Sequence, residues 1–178
     1  FTITIPFGLL LSGVTLMVST FGETDPQITN LVPVLSSPLL SIHVVVIMMS
    51  YSLFAFILLN GVMAFLLKSF SRDCDKQIKT LRQFSNILLY PALFLLTAGI
   101  FIGAIWANIS WGRYWAWDPK ETWAMATWLS YLLYLHVRPQ IKDRNVIFAM
   151  LIFSFLLLQM CWYGVNFLPS AQGSVHTY

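Results

Sequence analysis

Three histidines and a cluster of tryptophans are the residues of this chain with most chemistry to offer. His43, His136 and His176 each carry an imidazole nitrogen, a group that ligates metals and often serves as an axial ligand to haem iron. The segment Trp111-Gly112-Arg113-Tyr114-Trp115-Ala116-Trp117-Asp118-Pro119-Lys120-Glu121-Thr122-Trp123 holds four of the seven tryptophans, and Trp106 and Trp128 flank it. Indole rings at this density suit a platform for a large planar ligand, with Arg113 or Lys120 available to its carboxylates. An interfacial aromatic belt also places tryptophan at headgroup level. A belt accounts for one or two rings per span end, and less well for this density mixed with Gly112, Pro119 and four charges. Each histidine taken singly is equally readable as a hydrogen-bonded core or interfacial residue. Ionisable residues inside membranes are costly, however, and are functional candidates by default. Cys74 and Cys161 form neither CxxC nor CxxCH. That spacing points away from a disulfide framework, from a thiolate metal site and from a c-type cytochrome. No side chain is assigned a catalytic role.

The elements that position these residues follow from composition. Hydrophobic residues make up 58% of the 178, charged residues 10%, and mean hydropathy is +0.74; a soluble domain is about a quarter charged. Five apolar stretches read as spans, several of them near the length of about 20 residues that crosses a bilayer core, at Thr2–Ser19, Leu39–Leu67, Phe84–Ala107, Thr122–Val137 and Val146–Leu168. Each must be a helix to satisfy its own backbone in lipid. The expected fold is all-α, a polytopic membrane helix bundle of about five spans, forming one membrane domain over 1–178 with a tryptophan-rich external loop at 108–123. Phe1, not Met, opens the chain inside an apolar run, without the basic start or cleavage site of a signal peptide. A longer protein, continuing before Phe1, is expected.

Charge sorts the connections. The loop 68–83 carries Lys68, Arg72, Lys76, Lys79 and Arg82 against Asp73 and Asp75, and 138–145 carries Arg138, Lys142 and Arg144 against Asp143. The intervening connections are acidic or balanced, and 169–178 has no Lys or Arg. The positive-inside rule puts both basic loops on the cytoplasmic side. The tryptophan segment and the C-terminal tail then face outward. The net charge of +3 says little about partners, and no nucleic acid is expected among them.

Geometry divides the histidines. His43, near the outer end of the second span, and His176, on the tail, share a side with the tryptophans. His136 lies thirteen residues beyond Trp123, about 20 Å along a helix. No single haem reaches both, so three haem-binding histidines require two sites at two depths. Leu129, Leu132, Leu133 and His136 share one helical face, being three or four positions apart, which would give His136 an apolar surround.

The stretch WGRYWAWDPKETWAMATWLSYLLYLHVR, from Trp111 to Arg138, resembles the WWD signature of the cytochrome c assembly proteins, which handle haem. WDPKETWA with YLH is most similar to the CcsA (ResC) branch of the System II cytochrome c synthetase, and less to the CcmC and CcmF proteins of System I. SPLLSIHVVVIMMSYSL and GVNFLPSAQGSVHTY resemble the same branch, so the likeness covers about Leu31 to Tyr178. The segment Gln172-Gly173-Ser174-Val175 departs from the Gly-Leu-His-Ser-Tyr ending more usual there.

The resemblance implies roles. His43 and His176 would be the external axial ligands of haem iron. Trp111, Trp115, Trp117, Asp118 and Trp123 would belong to the haem-binding loop. His136 would be the transmembrane ligand, its opposite ligand coming from a CcsB (ResB) partner. Haem b would be substrate and cargo, received at His136 and passed outward. There an apocytochrome c would present a CxxCH segment whose thiols add across the vinyls. The chain would then be part of a haem lyase complex in a bacterial inner membrane or a thylakoid. The rival readings are a CcmC-like haem exporter or carrier without attachment activity, and a non-haem membrane subunit whose tryptophans are anchors.

Overall fold

The computed structural model describes residues 8–9, 12–13, 37–70, 74–141, 144–171 and 174. The chain divides into two compact units, Phe1–Pro33 and Val34–Tyr178. The expected first span, Thr2–Ser19, falls in the first unit and lies outside the described residues except for 8–9 and 12–13, which are helical. Among its described residues the second unit has four helices: α1 (Pro38–Phe70), α2 (Asp75–Trp111), α3 (Pro119–Val137) and α4 (Arg144–Trp162), followed by short 3-10 turns at Gly164–Phe167 and Pro169–Ala171. No strand occurs among the described residues.

Neighbouring helices run antiparallel, as their cross-links show. Ser50 Oγ of α1 donates to the Ala92 carbonyl of α2 at 2.8 Å, while Ile47 packs on Gly99 further along. Trp128 Nε1 of α3 donates to Thr97 Oγ1 of α2 at 2.8 Å, and Arg138 Nη1 just past α3 donates to Asn86 Oδ1 at 2.6 Å. The Ser130 and Ser154 hydroxyls meet at 2.7 Å between α3 and α4. The core between them is built from Phe54, Ile57, Leu89, Leu96, Tyr131 and Leu158. Phe54 stacks on Tyr131 with centroids 3.8 Å apart and planes 18° from parallel. Such a pair contributes about 0.5–1.5 kcal/mol beyond area burial.

Two helices, α1 and α2, are long and apolar enough to cross a membrane; the apolar stretch Val146–Trp162 of α4 is shorter. Large apolar residues such as Phe94, Phe101 and Ile87 point outward from mid-helix, a pattern suited to lipid and not to water. Three boundaries differ from those read in the sequence. The charged stretch 75–83, expected as loop, forms the first turns of α2. Lys, Gln, Leu and Arg are good helix formers, and Asp75 in the first turn suits the positive end of the helix dipole. The irregular part of 108–123 is only 112–118, its ends belonging to α2 and α3. The fifth stretch, expected to reach Leu168, is α-helical only to Trp162 and then tightens into 3-10 turns around Gly164 and Pro169.

Antiparallel order gives the bundle two unlike ends. His43, Trp106, Trp111, Lys120 and Cys161 lie at one. Lys68, Asp75, Lys79, Arg82, His136 and Arg138 lie at the other.

Candidate functional site

The tryptophan end is shaped first by how α2 stops. Gly112 takes φ 73°, and its N–H bonds the Asn108 carbonyl at 2.9 Å. This left-handed C-terminal turn favours glycine, which has no Cβ to clash. The chain re-enters helix at Asp118, whose carboxylate accepts from the Lys120 N–H at 3.0 Å. Pro119 takes the first helical position, where its missing N–H costs nothing. Glu121 completes the capping box, its Oε2 accepting from Asp118 N at 3.1 Å and from Ala116 N at 2.8 Å. One carboxylate thus ties both the helix start and the loop before it. Between them Trp117 holds φ 57°, an uncommon backbone state for a bulky residue.

Behind this loop is a cavity of about 340 Å³ walled by α1, α2, α3 and α4. His43, Trp106, Trp115, Lys120, Glu121 and Cys161 line it, with Val44, Met48 and Ile100 among its apolar surfaces. His43 is half-buried. Its Nδ1 lies 2.8 Å from the Gly99 carbonyl. A carbonyl only accepts, so Nδ1 carries a proton, and in the neutral imidazole the lone pair is then on Nε2. The ring lies flush on α2: a Cβ added at Gly103 would come within 2.6 Å of His43 Cε1.

The tryptophans divide by role. Trp106 is 3% exposed, lines the cavity, and has no hydrogen-bond partner for its Nε1. Trp111 meets it edge-on with centroids 4.7 Å apart. Trp115 lines the cavity and meets Trp117 edge-on at 6.0 Å. Trp117 is 68% exposed. Neither Trp111, Trp117 nor Trp123 lines the cavity. Trp128 has a structural bond to Thr97 instead. Of the two basic candidates Lys120 lines the cavity and Arg113 does not.

His136 sits at the other end of α3, on its exposed face, its Nδ1 2.8 Å from the Leu132 carbonyl. Leu129 and Leu133 are exposed beside it, whereas Leu132 packs against the core. Twelve residues separate it from Ala124 in the cavity wall, about 18 Å of helix. His176 lies outside the described residues. Ser174, two positions before it, donates from Oγ to Asp118 Oδ2 at 2.6 Å, so Ser174 itself meets the cap of α3.

Four contributors are not among the candidate residues read from the sequence. Glu121 has a signal in the Asp-x-x-Glu spacing, that of a capping box. Gly99 and Gly103 have one in their small-xxx-small spacing, that of close helix packing. Ser174 has none, since its partner is fifty-six residues away.

A family described as Cytochrome C assembly protein matches residues 1–171. The chain belongs to the cytochrome c assembly protein family. Within that family its relatives include the Cytochrome c biogenesis protein CcsA of Chlamydomonas reinhardtii, 33% identical over 183 residues, which are 96% of this chain and 50% of that protein. The CcsA of Guillardia theta is 33% identical over 202 residues, 96% of this chain and 65% of that protein. Protein NrfI of Wolinella succinogenes is 44% identical over 165 residues, 89% of this chain and 18% of that protein. The likeness to the CcsA branch read from the tryptophan segment is therefore right. The chain spans less than two thirds of the length of each of these relatives.

Proposed function

We propose that this chain is the haem-presenting part of a CcsA-like cytochrome c synthetase subunit. Membership in a family whose relatives are named for cytochrome c biogenesis supports a role in cytochrome c maturation. The observation that carries the finer reading is the cavity in which His43 shares walls with Trp106 and Trp115. Its residues fit a haem substrate: a lone pair on Nε2 for iron, flat rings and aliphatic side chains for the macrocycle, and the Lys120 ammonium for a propionate. The Ser174–Asp118 bond supports His176 as the second external ligand, because it places a residue two positions away in sequence at the same loop.

In this reading the bundle crosses the membrane with its basic end in the cytoplasm and its tryptophan end outside, the first expected span adding a fifth crossing. His136, on an exposed apolar face, would take haem b together with a ligand from a CcsB-like subunit. The haem would move outward to His43 and His176. The cavity walls would keep water from its apolar face and hold its vinyl edge toward an apocytochrome c. The thiols of CxxCH then add across those vinyls, forming thioether bonds, while the cytochrome's own histidine replaces one external ligand. Fixing the reactants together is worth about 7–11 kcal/mol in well-aligned cases.

The test is co-expression of the full-length protein with a CcsB partner and a CxxCH reporter, scored for covalent haem. The wild type is expected to give haem-stained reporter, and His43→Ala to give little. Haem bound by the complex but never attached to reporter would favour a carrier over a synthetase. A complex with no Soret absorbance would end the haem reading.

A further inference from the structure

The basic end of the bundle holds a second cleft, of about 600 Å³, between α1, α2, α3 and α4. Apolar side chains, Ile57, Ile147 and Leu151 among them, make much of its wall beside Asn60, Ser85 and Asn86, and among the described lining residues its rim carries Lys68, Lys79 and Arg82 against one acid, Asp75. All three basic residues are exposed. A cleft that is greasy within and cationic at its mouth matches an amphiphile with an anionic head.

A second observation points the same way. Asn60 lines this cleft, is 2% exposed, and has no hydrogen-bond partner for its Nδ2. Buried amide donors are nearly always satisfied, so an orphan in a cleft wall calls for an acceptor from outside the chain. Antiparallel register sets its depth. Ser50 lies opposite Ala92, so ten residues along α1 bring Asn60 level with Arg82. The donor therefore sits at or just below the level of the cationic rim. A glycerophospholipid has this order of groups: a phosphate, then ester carbonyls, then acyl chains. Among the described lining residues there is no His, Cys or Met, so the cleft lacks the common axial ligands of haem iron.

We propose that this cleft binds one anionic phospholipid. Its phosphodiester lies at Lys79 and Arg82, an ester carbonyl accepts from Asn60, and an acyl chain fills the apolar interior. The assignment rests on the membrane reading of the chain and is independent of haem.

The test is native mass spectrometry of the full-length protein released from vesicles of phosphatidylcholine mixed with phosphatidylglycerol. The wild type is expected to retain one phosphatidylglycerol in preference to phosphatidylcholine. Lys79→Ala with Arg82→Ala, both surface changes, should weaken that retention roughly thirtyfold. Asn60→Leu, which keeps the branched shape and removes the donor, should weaken it for both lipids alike. Equal retention of the two lipids by the wild type overturns the proposal. So does undiminished phosphatidylglycerol binding in the Lys79, Arg82 variant, or loss of co-purifying haem from that variant in place of lipid.

Discussion

His43 is held on two sides, by the Gly99 carbonyl and by the flat surface over Gly103. That makes Gly103 a handle on the proposed ligand that does not touch the imidazole chemistry. Gly103→Ala should push the ring off α2 and cut haem attachment to the reporter about tenfold or more, on the order of 1.4 kcal/mol of misplacement. His43→Ala should do as much, and added imidazole should rescue it. Imidazole should not rescue Gly103→Ala, where the displaced ring still fills the space. Rescue of both would show that Gly103 has no role in placing the ring. The tryptophans permit a similar separation. Trp115→Ala removes a cavity wall and should lower the haem held in the purified complex. Trp117→Ala removes an exposed ring and should lower it less. Absorbance of each variant with and without dithionite measures both, and a larger loss at Trp117 would contradict the assignment.

At the scale of elements, one side chain shapes the loop and the start of α3 together. Glu121→Ala strips an acceptor from Ala116 N and Asp118 N, and should destabilise the bundle by about 1–3 kcal/mol. Asp118→Asn should be milder. Asn caps about as well as Asp, and its amide still offers one hydrogen-bonding group to Ser174. Thermal unfolding in detergent, followed by tryptophan fluorescence, ranks the two substitutions, and a lower melting temperature for Asp118→Asn than for Glu121→Ala would refute the ranking. This region also shows what sequence can tell. Asp118, Pro119 and Glu121 announce a helix start by local spacing alone, and Gly112 a helix stop. The helices are legible from apolar runs, but their ends at the basic side are not. Charge reads as loop, whereas a helix continuing past the bilayer carries Lys and Arg at no cost to its backbone.

Over the whole molecule, the legible features are those with a period or a sign: apolar length, alternating basic connections, a dense tryptophan motif. The cavity is legible only as a set of residues. Its construction depends on long-range pairs such as Ser174 with Asp118 and Trp128 with Thr97, which no local pattern encodes. Sequence alone does not distinguish Trp106, a wall, from Trp128, a strut. Topology makes the broadest prediction. A phosphatase reporter active only outside the cytoplasm should work when inserted at Arg113 and stay silent when inserted within 71–73. The opposite result would put the cavity in the wrong compartment for a cytochrome on the outer face.

Trp117 adopts its left-handed backbone while Glu121 grips the amides on either side, at Ala116 and Asp118. A conformation of that kind costs about 1–3 kcal/mol and persists only under such restraint. The loop is therefore loaded like a bent leaf held by one clip. Removing the Glu121 carboxylate takes away both restraints at once, so in Glu121→Ala nothing is left to offset the cost of the turn at Trp117. A bend beside the cavity is thus kept in place by a side chain of the helix that follows it.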